Sequence, residues 1–153
     1  MMMKKGNSAG AFIIEFALAI TLLALLATAI ADASAAFRVK HVLQAAAREG
    51  ARKASTTQAA NVTAILPVVT PVMKEIFEQS GLNFASVTSI NVETLSELSG
   101  ELIVNGELSV GNPIRVHVIY FYQPMILGLA APLVPGFSGL LQSSSTMRYE
   151  GSS

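Results

Sequence analysis

The chain has 153 residues with ten basic and ten acidic side chains, so its formal net charge of zero gives no argument for a nucleic-acid partner. Apolar residues make up 52% of the chain and charged residues only 13%, roughly half the usual charged share, which favours membrane association. The absence of cysteine excludes a disulfide framework and thiolate metal ligands, and it leaves the redox compartment open.

An apolar run at residues 11–31 follows a short stretch that contains Lys4 and Lys5. About 20 apolar residues span a bilayer as a helix, and the run is longer than the roughly 7–15 residues of a secretory signal core. Its one charged residue, Glu15, costs about 2.5–3.5 kcal/mol on insertion scales and therefore indicates a function. The run predicts a transmembrane anchor. The alternative is a removed signal peptide, since small residues between Ala27 and Ala35 offer cleavage sites.

The helical pattern continues past the apolar run into residues 32–60. Neither Pro nor Gly occurs from Ala11 to Glu49, and good helix formers dominate. Apolar residues recur every three or four positions while basic and polar residues follow the opposite side, which is typical of an amphipathic helix. A continuous helix from Ala11 to Ser55 would be about 67 Å long. We therefore expect one helix with a transmembrane part and an amphipathic stem.

A second helix is expected after a hinge or cap region at residues 56–63. Apolar residues from Val62 to Phe77 have helical spacing and predict a face packed on a core. Thr70 followed by Pro71 is a typical N-cap and first helical position, so we expect this helix to begin there. Gly81 is a typical stop.

After Gly81 the apolar period changes to two, which predicts strands. We expect a strand at 87–93, a hairpin over 102–110 that turns at Asn105–Gly106, a strand at 114–122 and a last strand at 145–150. Ser143–Ser145 are interpreted as a polar spacer. The predicted fold class is α+β: a long N-terminal helix followed by a small antiparallel sheet packed with a second helix.

The segment between the last two strands is strongly apolar and contains three prolines. It is expected to be a loop folded over the sheet or, alternatively, an apolar patch that contacts a partner protein or the membrane surface. The residues of this possible partner patch are Met125, Ile126, Leu127, Leu129, Leu133, Val134 and Phe137.

No catalytic constellation is recognisable in the sequence. His41 and His117 have no neighbour at ligand spacing, and phosphate-binding, dinucleotide-binding and nucleophile-elbow motifs are absent. We therefore predict no catalytic residue, no metal, no cofactor and no small-molecule substrate.

The stretch "AGAFIIEF" at residues 9–16 gives the most specific signal. A basic leader ends in Gly10, Ala11 follows, and Glu15 is the fifth residue after the glycine, with Phe16 next. This pattern resembles a class III (type IV-like) prepilin cleavage site. Together with the stem "AAREGARKAS" (46–55) and the C-terminal "TMRYE" (146–150), it resembles the TadE-like family of minor pilins or pseudopilins of the tight-adherence (Flp) pilus system.

The resemblance implies cleavage between Gly10 and Ala11. The new amine of Ala11 would lie one turn from Glu15 and could neutralise its carboxylate within one chain or between neighbours. The alternative is that Glu15 reaches the headgroups by snorkelling. The implied organisation is a basic prepilin leader at 1–10, a transmembrane and assembly helix at 11–31, a stem at 32–60 and a pilin-like α+β domain at 61–153.

The implied partners are a prepilin peptidase, the major Flp-type pilin and other minor pilins, the inner-membrane pilus assembly machinery and membrane lipid. The implied location is a single pass of the inner membrane with a cytoplasmic N-terminus and a periplasmic domain, or the extracellular pilus. The basic residues near the run number two before it and five after it, which by itself would place the N-terminus outside. The rival hypotheses are a secreted α+β binding module with a removed signal peptide and an enzyme anchored by one span.

Overall fold

The computed structural model describes residues 8–59, 61–95, 102–103, 108, 110–124 and 139–151. Within them the chain forms two helices and an antiparallel sheet, which confirms the predicted α+β class. The elements are α1 (Ser8–Thr56), α2 (Val62–Gln79), a 3-10 turn (Phe84–Ser86), β1 (Val87–Leu95), β2 (Leu102–Ile103), β3 (Pro113–Phe121) and β4 (Leu140–Arg148). The strand order in the sheet is β2-β1-β3-β4.

Helix α1 is a single uninterrupted helix of 49 residues, about 73 Å long. Its first half, residues 11–31, is uncovered and is called the apolar half. Its second half buries a stripe of side chains against α2 and the sheet, which together are called the head. The continuous helix with an amphipathic second half is therefore confirmed. The buried stripe consists of Val39, Leu43, Ala46, Ala47, Ala51 and Ala54.

Helix α2 begins at Val62, so the predicted start at Thr70 is wrong. The side chain of Asn61 accepts a hydrogen bond of 3.0 Å from the N–H of Ala64 and caps the helix. Pro67 and Pro71 lie inside the helix on its exposed side. The buried face formed by Val62, Ile65, Val69, Met73 and Phe77 offsets the cost of the two prolines, because each of these side chains enters the core.

Helix α2 ends at Gln79, and Gly81 follows the Ser80 C-cap with a positive φ of 71°, as expected for a helix stop. The chain then lies alongside α1, because Arg38 Nη2 donates a 2.9 Å hydrogen bond to the carbonyl of Ser80. Helix α2 therefore runs back along the stem in the opposite direction to α1.

Strand β3 is the centre of the sheet, paired with β1 on one side and β4 on the other. Ile114, Val116, Val118 and Tyr120 are buried on one face, as the alternating pattern predicted. Tyr120 stacks on Phe77 of α2 with ring centroids 5.8 Å apart, which joins the sheet to the helix.

Strand β4 begins at Leu140, so the interpretation of Ser143–Ser145 as a spacer is wrong. These serines pair with Val118, His117 and Val116 of β3 in an unbroken register. Pairing with a buried neighbour strand decided their conformation, which local polarity does not reveal. Strand β2 is short and pairs at Thr94↔Ile103, while the predicted turn at Asn105–Gly106 lies outside the described residues.

Candidate functional site: the N-terminal helix and its contacts with the head

The predicted cleavage position lies on the first turns of α1. Gly10 and Ala11 are both exposed, and a Cβ placed on Gly10 would meet no atom within 4 Å. Ala11 and Glu15 are four residues apart on this helix and therefore lie on the same side, one turn from each other.

Glu15 and Phe16 are exposed on the apolar half of α1. The ring of Phe16 stacks on that of Phe12 with centroids 6.4 Å apart. Among the described residues Glu15 forms no ion pair, whereas Arg52 pairs with Glu49 and Lys74 with Glu78.

One side of the apolar half forms a shallow groove lined by Ile14, Ala17, Leu18, Thr21, Leu22 and Leu25. The one hydroxyl of this groove is satisfied within the helix, since Thr21 Oγ1 donates a 2.8 Å bond to the carbonyl of Ala17. Thr28 Oγ1 likewise donates to the carbonyl of Leu25 at 2.8 Å. These bonds satisfy the hydroxyl protons within the helix, which makes the surface compatible with lipid or with a neighbouring helix.

At the C-terminal end of α1, hydrogen bonds of Tyr149 connect the end of the sheet to the end of the stem. Its side chain is 5% exposed. Its hydroxyl donates to the carbonyl of Thr57 at 3.1 Å and accepts from the N–H of Ala59 at 3.3 Å. The N–H of Glu150 donates to the carbonyl of Ser55 at 3.0 Å. The C-terminal "TMRYE" thus holds the helix end, a role that the sequence interpretation did not assign to Tyr149.

The opposite contact joins Tyr122 to Asp32, the residue that follows the apolar run. Asp32 is 5% exposed, and the hydroxyl of Tyr122 donates a 3.4 Å bond to its backbone carbonyl. Burial raises the pKa of Tyr122, and the negative charge of Asp32 raises it further. Sequence reasoning missed this pair, although a single acidic residue at the end of a 21-residue apolar run was a usable signal.

Small side chains allow α2 to lie close to α1. A Cβ placed on Gly50 would lie 3.0 Å from Met73 Sδ and 3.1 Å from Val69 Cγ1. Ala46, Ala47, Ala51 and Ala54 surround this glycine on the helix face and are fully buried. The small residues of "AAREGARKAS" therefore determine the spacing between the two helices.

The possible partner patch at Met125, Ile126, Leu127, Leu129, Leu133, Val134 and Phe137 lies outside the described residues. The chain on both sides of it is described, and the N–H of Tyr122 donates a 2.6 Å bond to the carbonyl of Gly139. Within the part of the chain that the structure covers, no group of three or more His, Asp or Glu residues is placed to hold a metal ion.

The architecture is that of a protein with one N-terminal helix long and apolar enough to cross a membrane, whose second half carries an α+β head. Residues 10–52 match the family model described as TadE-like protein, which confirms the resemblance seen in the sequence. The match covers less than a third of the chain and suggests a role related to the tight-adherence pilus. No curated protein and no solved structure matches the chain.

Proposed function

We propose that this chain is a membrane-anchored minor pilin or pseudopilin that takes part in assembly of a tight-adherence (Flp) type IV pilus. The observation that carries the proposal is the TadE-like match at residues 10–52, which begins at Gly10 and includes Glu15 and the apolar half of α1. The role is structural: a prepilin peptidase acts on the chain, and the chain then acts through contacts with other subunits.

Processing between Gly10 and Ala11 would remove the basic leader and give α1 a charged amine at its first residue. In hydrocarbon an unpaired carboxylate is costly, whereas a carboxylate paired with a cation is much less so. The amine of a neighbouring subunit, placed against Glu15, would therefore set the axial register between adjacent helices. The uncovered apolar half of α1 supports this mechanism because that surface is available for lipid before assembly and for other helices afterwards.

The proposed topology is a cytoplasmic leader, an apolar half in the inner membrane and a periplasmic head. The proposed partners are the major Flp-type pilin, other minor pilins and the inner-membrane assembly machinery. The stem and head would project from the bilayer, because buried side chains of the described residues begin at Asp32.

The mature N-terminus tests the function directly. We expect mass spectrometry of the protein from its native membrane to give Ala11 as the first residue, with the full-length chain accumulating in a strain without the peptidase. A Gly10→Val variant should remain uncleaved, because a branched side chain at the cut site obstructs the peptidase. A mature chain that begins near Ser34 would instead support the secreted module, and an uncut Met1 in the wild-type strain would support a plain anchor.

A further inference from the structure

We propose that the end of the head nearest Asp32 rests in the headgroup layer of the same bilayer that α1 crosses. The contact would be made by Phe121 and Leu140 with Tyr122 beside them, and its occupant is the lipid surface. The inference rests on the membrane anchor proposed above and adds a second, peripheral contact to it.

The position of Asp32 along the helix sets the level of the membrane surface. The apolar residues 11–31 cover about 31 Å as a helix, close to the roughly 30 Å of bilayer hydrocarbon. Asp32 therefore lies where the helix leaves the hydrocarbon. The headgroup layer continues for about 5–8 Å beyond that level.

The head reaches this level. The hydroxyl of Tyr122 is 3.4 Å from the backbone oxygen of Asp32, and Asp32 is almost fully buried by its contacts. Gly139 accepts a bond from the N–H of Tyr122, so the start of β4 lies at the same level. Glu150 contacts Ser55 at the far end of the stem. Strand β4 thus runs along the stem from the membrane surface outward.

The side chains at this end have the chemistry of a membrane interface. Phe121 is 51% exposed and Leu140 is 48% exposed, and the two are directly paired across β3 and β4. Tyr122 follows them, and aromatic residues with a polar tip are favoured at the headgroup level. Phe37, about a turn and a half beyond Asp32 on the stem, is also exposed, at 64%.

The distribution of charge along the sheet agrees with this orientation. Arg115 and Arg148 belong to the far end of the β3–β4 pair, where Pro113 lies opposite Arg148. The described residues between these two arginines, 116–124 and 139–147, contain no Asp, Glu, Lys or Arg, so the end of the β3–β4 pair near Asp32 carries no such charge. Charged groups would oppose burial in the headgroup–acyl boundary, and apolar groups favour it.

The absence of cysteine allows a clean test with single-cysteine variants of the full chain. Three positions on the exposed side of β4 are replaced one at a time: Leu140→Cys, Ser144→Cys and Arg148→Cys. Along the strand, position 144 lies about 14 Å and position 148 about 27 Å from position 140. Each variant, labelled with an environment-sensitive fluorophore, is placed in vesicles of phosphatidylethanolamine and phosphatidylglycerol that carry a spin label at the headgroup level. We expect quenching at 140 to exceed that at 148 several-fold, with 144 between them.

Phe121→Cys serves as a second probe of the same end, in case Leu140→Cys perturbs the strand. If the labels at 121 and 140 are quenched no more than the label at 148, the membrane contact is wrong. The label at 140 can also be shielded from aqueous iodide without being quenched by the spin-labelled lipid. If that shielding disappears when the protein is diluted in lipid, a second copy of the chain covers this end, and the proposal is overturned.

A Leu22→Cys label in the apolar half of α1, measured in vesicles whose lipid carries the spin label deep in the acyl chain, separates this inference from the proposed function, because residue 22 lies near the middle of the 11–31 run. Deep quenching at 22 with none at 121 and 140 leaves the anchor standing and refutes the second contact. If the label at 22 is itself unquenched, the anchor fails and the second contact fails with it.

Discussion

Tyr149 and Tyr122 hold the head against α1 at opposite ends of the stem. The hydroxyl of Tyr149 satisfies two backbone groups in the connection between α1 and α2, and the residue is buried. The hydroxyl of Tyr122 makes a longer bond, to the carbonyl of Asp32. Replacing tyrosine by phenylalanine therefore removes a good hydrogen bond at position 149 and a weak one at position 122, so the two variants form a matched pair.

Tyr149→Phe should lower the free energy of unfolding by about 1–2 kcal/mol, because the N–H of Ala59 and the carbonyl of Thr57, both partly buried, lose their bond to the buried Tyr149 hydroxyl. Urea denaturation followed by circular dichroism in detergent micelles measures the loss. Tyr122→Phe is the control and should cost less. Equal losses for the two variants would contradict the role assigned to Tyr149.

Tyr122 should titrate at a higher pH than a tyrosine in the unfolded chain, whose pKa is about 10. Burial and the charge of Asp32 both favour the neutral phenol in the folded state. The raised pKa means that this contribution to stability is complete below the unfolded pKa and is lost as pH rises through the folded pKa.

The difference in ultraviolet absorbance between the wild type and Tyr122→Phe isolates the titration of this residue. Asp32→Asn should move the pKa of Tyr122 part of the way back toward its unfolded value, since the charge is the smaller of the two causes. A midpoint for Tyr122 equal to that in urea would show that the contact with Asp32 does not form.

Glu15→Ala should leave membrane insertion intact, because it removes a charge from the apolar half of α1. It should impair pilus assembly, because it also removes the carboxylate that is proposed to pair with the amine of a neighbouring subunit. Membrane fractionation and electron microscopy of pili measure the two effects separately. Leu23→Ala, which shortens an exposed side chain on the same half of α1 outside the groove, is the control. Normal piliation by Glu15→Ala would count against the pairing role.

Among the elements, the contact between α1 and α2 depends most on side-chain size. Gly50 faces the side chains of Met73 and Val69 at distances that leave no room for a larger residue unless these side chains or α2 itself move. Alanine at 50 would gain helix propensity while pressing on the flexible side chain of Met73, so its two effects oppose each other.

Gly50→Leu should therefore destabilise the head by about 1–3 kcal/mol through overpacking. Ala45→Leu is the matched control, because Ala45 lies on the exposed side of the same helix and the change in side chain is similar. The free energy of unfolding in urea distinguishes them. If Ala45→Leu lowers the free energy of unfolding as much as Gly50→Leu does, the close contact between α1 and α2 is not the reason why residue 50 has to be small.

At the scale of the whole molecule, α1 has two halves with separate roles. The buried side chains of the described residues begin at Asp32, and none of the apolar half contributes to the core. The head together with the stem should therefore be a folding unit, and the apolar half a means of attachment and assembly.

A chain that begins at Ala29 tests this division. We expect it to unfold cooperatively in urea, with the same strand and helix content per residue in the head as the full chain, because its core is complete. A chain that begins at Arg48 is the control and should not fold, since it lacks the buried residues Val39, Leu43, Ala46 and Ala47. Failure of the longer chain to fold would show that the apolar half supports the core.

The features that the sequence alone determined are local ones. The apolar run, the continuous stem and the faces of β3 follow from periods of 3.6 and 2. The roles of Gly10, Ala11, Glu15 and Phe16 come from a pattern of adjacent residues and stay predictions. Thr70–Pro71 predicted a helix start, but the buried face of α2 and the Asn61 cap place that start at Val62. The polarity of Ser143–Ser145 predicted a spacer, but pairing with β3 makes them part of a strand. Only tertiary structure could bring Tyr122 to Asp32 and Tyr149 to Thr57, because these pairs are 90 and 92 residues apart and no local pattern encodes which distant backbone group a buried hydroxyl will meet.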